Sequence, residues 1–222
     1  MNRMGREEQI INERKRKLKE LRQQVNPYPH KFDVKNYSKD IKEDNKKLKN
    51  NERSKNRVTV AGRVMTIRNL GKLIFATIQD SQGKLQLILQ KGETNVDDFS
   101  LFKKYIDAGD FVGCSGIVMK SKTGEISILV KKMQILSKSL LPLPEKFHGL
   151  KDDEERYRKR YLDLIINTEN KDIFITRANI INEIRDYLNS NEYIEVETPI
   201  LQPQYGGANA KPFTTFHNTL EE

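Results

Sequence analysis

Tryptophan is absent from the 222 residues, and cysteine occurs once, as Cys114. A single cysteine excludes an intrachain disulfide and a zinc site built from several thiolates. Histidine is scarce too: His30, His148 and His217 stand at no metal-ligand spacing. Neither a Ser-His-Asp constellation nor a P-loop is recognisable, so the expected metal and catalytic sets within this chain are both none. Long apolar runs are missing, and none approaches the ~20 residues that span a bilayer. The opening thirty residues carry Glu7, Glu8, Glu13 and Glu20 without an apolar block, which argues against a secretory or transit leader. With 36% hydrophobic and 32% charged residues, the expectation is a soluble protein of a reducing cytoplasm, with part of the chain outside any packed core.

What is present is positive charge, and it is localised. Residues 1–57 hold 18 Lys and Arg against 9 Asp and Glu, whereas residues 58–222 hold 22 of each sign. The whole net charge of +9 therefore lies in the first quarter of the chain. An electrostatic arm for a polyanion fits this pattern, and so does a solubilising tail.

The apolar periodicity divides the rest. Residues 6–24 have a sparse helical stripe of Ile10, Ile11, Leu18 and Leu21, ended by Asn26-Pro27 and Tyr28-Pro29. A lysine-rich polar stretch, 35–56, follows. From Val58 the texture becomes that of strands: 58–64, then 73–80 and 84–90 joined at Ser81-Gln82-Gly83. Residues 96–106 have helical spacing, and two more strands, 110–120 and 125–136, complete the set. Three strands, a helix and two strands within about 80 residues is the plan of the five-stranded OB barrel, which commonly binds oligonucleotides on its second and third strands. Pro142 and Pro144 mark a linker, after which 152–166 and 171–191 read as helices and 193–201 as an extended segment. The domain expectation is a basic helix and arm over 1–57, a barrel over 58–140, and a linker with the start of a second domain over 141–222.

Five segments, in order, resemble one family, the class II lysyl-tRNA synthetases. EEQIINERKRKLKELRQQVNPYP is similar to their opening helix and turn, and VAGRVMTIRNLGKLIFATIQD to the start of their anticodon-binding barrel. LPEKFHGLKDDEERYRKRYLDLI resembles their link into the catalytic domain. FITRANIINEIRDYLNSNEYIEVETPIL (about 174–201) resembles motif 1, and GGANAKPFTTFHN the loop that follows it. The aspartyl and asparaginyl enzymes share the barrel and motif 1, but KFHGL and GGANAKPF favour lysine. The implied fold is α+β: a mostly β N-terminal part with an OB barrel, then the incomplete start of an antiparallel α/β catalytic domain.

The resemblance implies roles for particular residues. Arg68, Phe75, Gln86 and Glu125 fall where the lysine enzymes contact a U-rich anticodon, with Phe75 stacking the central base; read without the resemblance, Phe75 is better taken as a core residue. Arg14, Lys15, Arg16 and Lys17 are the densest basic patch for tRNA phosphates. Ile184, Leu188 and Pro199 belong to motif 1, which builds the homodimer interface in the family. Gly206, Gly207 and Ala208 resemble the loop beside the lysine pocket.

The implied activity of a complete enzyme is attachment of lysine to tRNA-Lys through lysyl-adenylate, using ATP and Mg2+. Motifs 2 and 3, which grip ATP, are not in the sequence, so this chain alone is expected not to aminoacylate or to bind either cofactor well. The alternative is a stand-alone OB-fold tRNA-binding protein that has lost catalysis.

Overall fold

The computed structural model describes residues 3–144, 152–201, 211 and 213–220. It divides into two compact units, Met1–Gly149 and Leu150–Glu222. Among the described residues no helix is long and apolar enough to cross a membrane.

The first unit is a closed barrel of five strands in the order β1-β2-β3-β5-β4. Its strands are β1 (Arg53–Asn69), β2 (Leu73–Gln79), β3 (Lys84–Gln90), β4 (Phe111–Lys120) and β5 (Ile126–Ser137). Alternation sends Ile74, Ala76 and Ile78 of β2 and Leu85, Leu87 and Leu89 of β3 inward, where they meet Val60 and Val64 of β1. β1 is longer than the apolar pattern predicts, beginning at Arg53. Its first part pairs with β4 and its second with β2, so one strand serves both neighbours. The extra residues are polar and mostly exposed, which is why they leave no hydrophobic signature. Helix α3 (Val96–Tyr105) contributes buried Phe99, Phe102 and Tyr105 to the same core. It starts where the side chain of Asn95 accepts the backbone N–H groups of Asp97 and Asp98. Cys114 is buried on β4, and burial pushes its thiol pKa up, which suppresses thiolate chemistry.

The basic segment packs on this barrel. Helix α1 (Arg3–Leu21) buries Leu18 and Leu21, and a short helix, α2 (Ser38–Asp44), buries Ile41. Between them Phe32 lies against β4 where residue 113 is glycine: a Cβ there would stand 2.5 Å from the Phe32 ring. Only a residue without a side chain lets the ring so close.

A buried polar network ties α1 down. Lys138, its side chain fully buried, donates to the Tyr105 carbonyl at 2.7 Å, to Asp107 at 2.5 Å and to Asp110 at 2.7 Å. Lys17 of α1 reaches the other Asp107 oxygen at 2.7 Å. Burial acts to raise the Asp107 carboxyl, but the ammonium groups of Lys138 and Lys17 outweigh it and hold its pKa below the ordinary value. Beside them Arg14, 7% exposed, donates to the carbonyls of Ser139 (3.1 Å), Leu141 (2.8 Å) and Ala108 (2.9 Å).

In the second unit the predicted helix over 152–166 is two, α4 (Asp153–Arg158) and α5 (Arg160–Ile166), followed by α6 (Thr168–Ser190). The break at Lys159 brings Asp163 into a buried position where Arg156, Arg160, Asn167 and Asn170 all donate to it. Residues 193–199 form no strand ladder. Among the described residues their backbone groups have no neighbouring strand to pair with, and a lone strand is not stable.

Two expectations follow from these polar clusters. Arg14→Ala should lower unfolding stability by roughly 2–4 kcal/mol, while Lys15→Ala stays within about 0.5 kcal/mol, read from urea denaturation midpoints. Burial raises the Asp163 pKa, but the hydrogen bonds from Asn167, Arg160, Asn170 and Arg156 outweigh it and depress the value. A depressed folded pKa stabilises above the unfolded carboxylate value and is lost as pH falls through the folded one. The helical signal of α4–α6 should therefore weaken below about pH 4. Asp163→Asn should remove that component from a far-UV circular dichroism titration.

Candidate nucleic-acid interface

The alternation that fills the barrel also composes its outer face. On β2 the outward residues are Leu73, Phe75, Thr77 and Gln79, and on β3 they are Lys84, Gln86, Ile88 and Gln90. None is acidic. The ladder aligns them in rows across three strands. Arg68 of β1 pairs with Phe75, which pairs with Ile88; Thr66 pairs with Thr77, which pairs with Gln86. Arg68 thus stands opposite Phe75 on the neighbouring strand and Gln86 diagonal to it on the other side, each within roughly 10 Å by strand spacing and rise.

Phe75 lies outside the core: it is half-buried, while its neighbours Ile74 and Ala76 are sealed inside. It pairs with Ile88 in the ladder, on a face where Arg68 is exposed. An aromatic platform flanked by a guanidinium and an amide can stack one flat base and bond its edge or its phosphate.

Glu125 stands at the edge of this face, in the loop that leads into β5. The loop is pinned by Ser121, whose N–H donates to the Glu125 carbonyl at 2.8 Å and whose hydroxyl accepts the Glu125 N–H at 3.0 Å. The Glu125 carboxylate is exposed and lies 3.4 Å from the Lys42 ammonium of α2. The β1–β2 loop borders the opposite side: Asn69 accepts the Gly71 N–H at 2.9 Å, Gly71 has φ +82°, and Leu70 is 55% exposed. Arg68, Phe75 and Gln86 therefore share one surface, and Glu125 lies at its rim.

The basic quartet of α1 does not act as one patch. Arg14 departs from the expectation of a phosphate contact, because it is buried against three backbone carbonyls. Lys17 is engaged by Asp107, and Arg16 pairs with Glu13 at 2.6 Å and with Glu20. Lys15 is exposed. The sequence pattern could not separate these, since the carbonyls Arg14 reaches come from residues 94 to 127 positions away.

On α6, Ile184 is 55% and Leu188 40% exposed, in a helix that buries none of its residues. Pro199 is exposed in irregular chain. Gly206, Gly207 and Ala208, with His148, lie outside the described residues. Among the described residues no group of three or more His, Cys, Asp or Glu could hold a metal ion.

Ser127 was not legible as part of this surface. It pairs with Gln86 through the parallel β3–β5 ladder, and its hydroxyl donates to Gln86 Oε1 at 2.9 Å. That contact joins residues 41 apart, and no local pattern announces it.

Two families of known proteins match the chain. The family described as "OB-fold nucleic acid binding domain" matches residues 58–136, and "tRNA synthetases class II (D, K and N)" matches residues 152–222. A "Lysine--tRNA ligase" of Methanoculleus marisnigri is 50% identical over 207 residues, 93% of this chain and 41% of that protein. "Lysine--tRNA ligase 2" of Methanosarcina mazei is 50% identical over 201 residues, 90% of this chain and 39% of its own length. The chloroplastic/mitochondrial "Lysine--tRNA ligase" of Arabidopsis thaliana is 46% identical over 217 residues, 96% of this chain and 36% of its own length. The chain spans about two fifths of the length of the curated relatives it matches.

If Phe75 belongs to the outer face, truncating it should cost little stability. Phe75→Ala is expected to lower the unfolding free energy by about 1 kcal/mol and Ile74→Ala by about 3 kcal/mol. Chemical denaturation of the two variants checks the contrast.

Proposed function

Because the chain belongs to the class II tRNA synthetase family, among relatives named lysine--tRNA ligase, we propose that it serves the attachment of lysine to tRNA-Lys. The barrel binds the anticodon. Phe75 stacks a base, and Arg68, Gln86 and Glu125 contact its edges or phosphates. The observation that carries this reading is Phe75, half-buried on the outer face opposite Arg68 of β1 and diagonal to Gln86 of β3, with no carboxylate among the outward residues of β2 and β3.

The basic arm adds affinity without sequence choice, through Lys15 and Arg16; Arg14 and Lys17 hold the helix in place instead. On α6 the exposed apolar row that includes Ile184 and Leu188, together with Pro199, supplies a homodimer interface. Gly206, Gly207 and Ala208 would border the lysine pocket. The cytoplasm is the compartment that suits this work. A match to the synthetase family over 152–222 favours this reading over a stand-alone tRNA-binding module.

ATP and Mg2+ are the cofactors the family implies for the complete enzyme, where ATP would activate the lysine carboxylate as lysyl-adenylate. The described residues do not fit a Mg2+ ion, since they form no carboxylate cluster. No chemical step is assigned to this chain.

Binding of the chain to tRNA-Lys, and to the same tRNA with a changed anticodon, tests the reading at one fixed salt concentration. The native anticodon should be preferred, and Phe75→Ala should weaken its binding roughly 5- to 150-fold, the worth of one stacked base. Equal binding to both tRNAs would leave only the basic arm at work and overturn the assignment.

A further inference from the structure

The amide of Gln86 presents a polarity, and that polarity has a buried cause. Ser127 is fully buried on β5, directly opposite Gln86 in the parallel ladder. Its hydroxyl has two oxygens within reach, Gln86 Oε1 at 2.9 Å and the Glu125 carbonyl at 3.0 Å. A hydroxyl carries one hydrogen. The Glu125 carbonyl already accepts the Ser121 N–H at 2.8 Å. Ser127 donates its hydrogen to Gln86 Oε1, the shorter of the two contacts, so the side-chain oxygen of Gln86 turns toward Ser127 and its NH2 group is left facing outward.

A side-chain amide held at neither end can rotate about its last bond and offer an acceptor or a donor equally well. Such an amide bonds any base edge and distinguishes little. An amide pinned by its oxygen offers donors only. A donor satisfies the O4 of uracil or the O6 of guanine; set against the N4 amino group of cytosine or the N6 of adenine, it meets a second donor and leaves both unpaired. The geometry points to Ser127 as a positioning residue that fixes the polarity of Gln86, so that the barrel distinguishes a keto-bearing base from an amino-bearing one. This rests on Gln86 reading a base edge, as proposed above.

The test uses the whole chain with tRNA-Lys and with a set in which each anticodon uridine is replaced by cytidine in turn. At the position Gln86 reads, the unaltered protein should prefer uridine roughly three- to tenfold, and Ser127→Ala should bring the ratio to within about twofold of unity while weakening native tRNA binding less than about threefold. Gln86→Ala should abolish the same preference, and adding Ser127→Ala to it should change nothing more. Gln86→Glu leaves Ser127 untouched and presents acceptors only, so it should turn the preference toward cytidine. A full uridine preference in Ser127→Ala, with loss of it in Gln86→Ala, overturns the role of Ser127 and leaves Gln86 as a reader. A full preference in Gln86→Ala overturns the reading of Gln86 itself, and the role of Ser127 with it. A purely structural serine would lower the melting temperature without moving the uridine-to-cytidine ratio.

Discussion

The parallel pairing of β3 with β5 is the contact on which the rest of the structure depends. It is a short ladder, Gln86 with Ser127, Leu87 with Ile128 and Ile88 with Leu129, and the only parallel one in the barrel. Every other pairing is antiparallel. Without this seam the five strands would form an open sheet with two edges, each a row of unpaired backbone groups. With it the apolar faces of all five strands turn to a common interior. The same register decides which side chains lie beside Gln86 on the outside. Core and candidate interface are thus two faces of one alignment, and slipping it by one residue would exchange them.

Closure alone does not place the basic helix. That falls to buried polar chemistry at Lys138, Asp107 and Asp110, extended by Lys17 and Arg14 of α1. Fully buried charges are tolerable when each is matched by an opposite charge or by backbone groups. Arg14 meets three carbonyls and Lys138 meets two carboxylates and a carbonyl. A segment carrying twice as many basic as acidic residues thereby becomes part of a folded unit and not a free tail. It presents Lys15 to solvent and spends Arg14 internally. The charge excess described a region; the network sorted its members.

Alternation in IFATI and LQLIL, helical spacing in VDDFSLFKKY and the prolines after residue 140 made the strands, the barrel helix and the linker readable, because these signals are local. Phe75 illustrates the boundary. Its position in a strand was readable, but the strand pattern alone did not say which side of the sheet it takes. Burial of Ile74 and Ala76 on either side answers that. The start of β1 at Arg53 and the division of 152–166 at Lys159 were missed for a related reason. The first is set by pairing with β4, and the second lets Asp163 gather Arg156, Arg160, Asn167 and Asn170.

By itself the sequence determined which residues are apolar at which spacing, and so the strands, the helices and the five-stranded plan. It determined also, through segment resemblance, the family and the candidate readers Arg68, Phe75, Gln86 and Glu125. Only the tertiary structure decided that Arg14 is internal, that Gln86 is pinned from beneath by Ser127, and that Glu125 stands at the rim facing Lys42. Propensity and periodicity act between residues a few positions apart. A hydrogen bond between residues 41 or 125 positions apart exists only after the chain has closed.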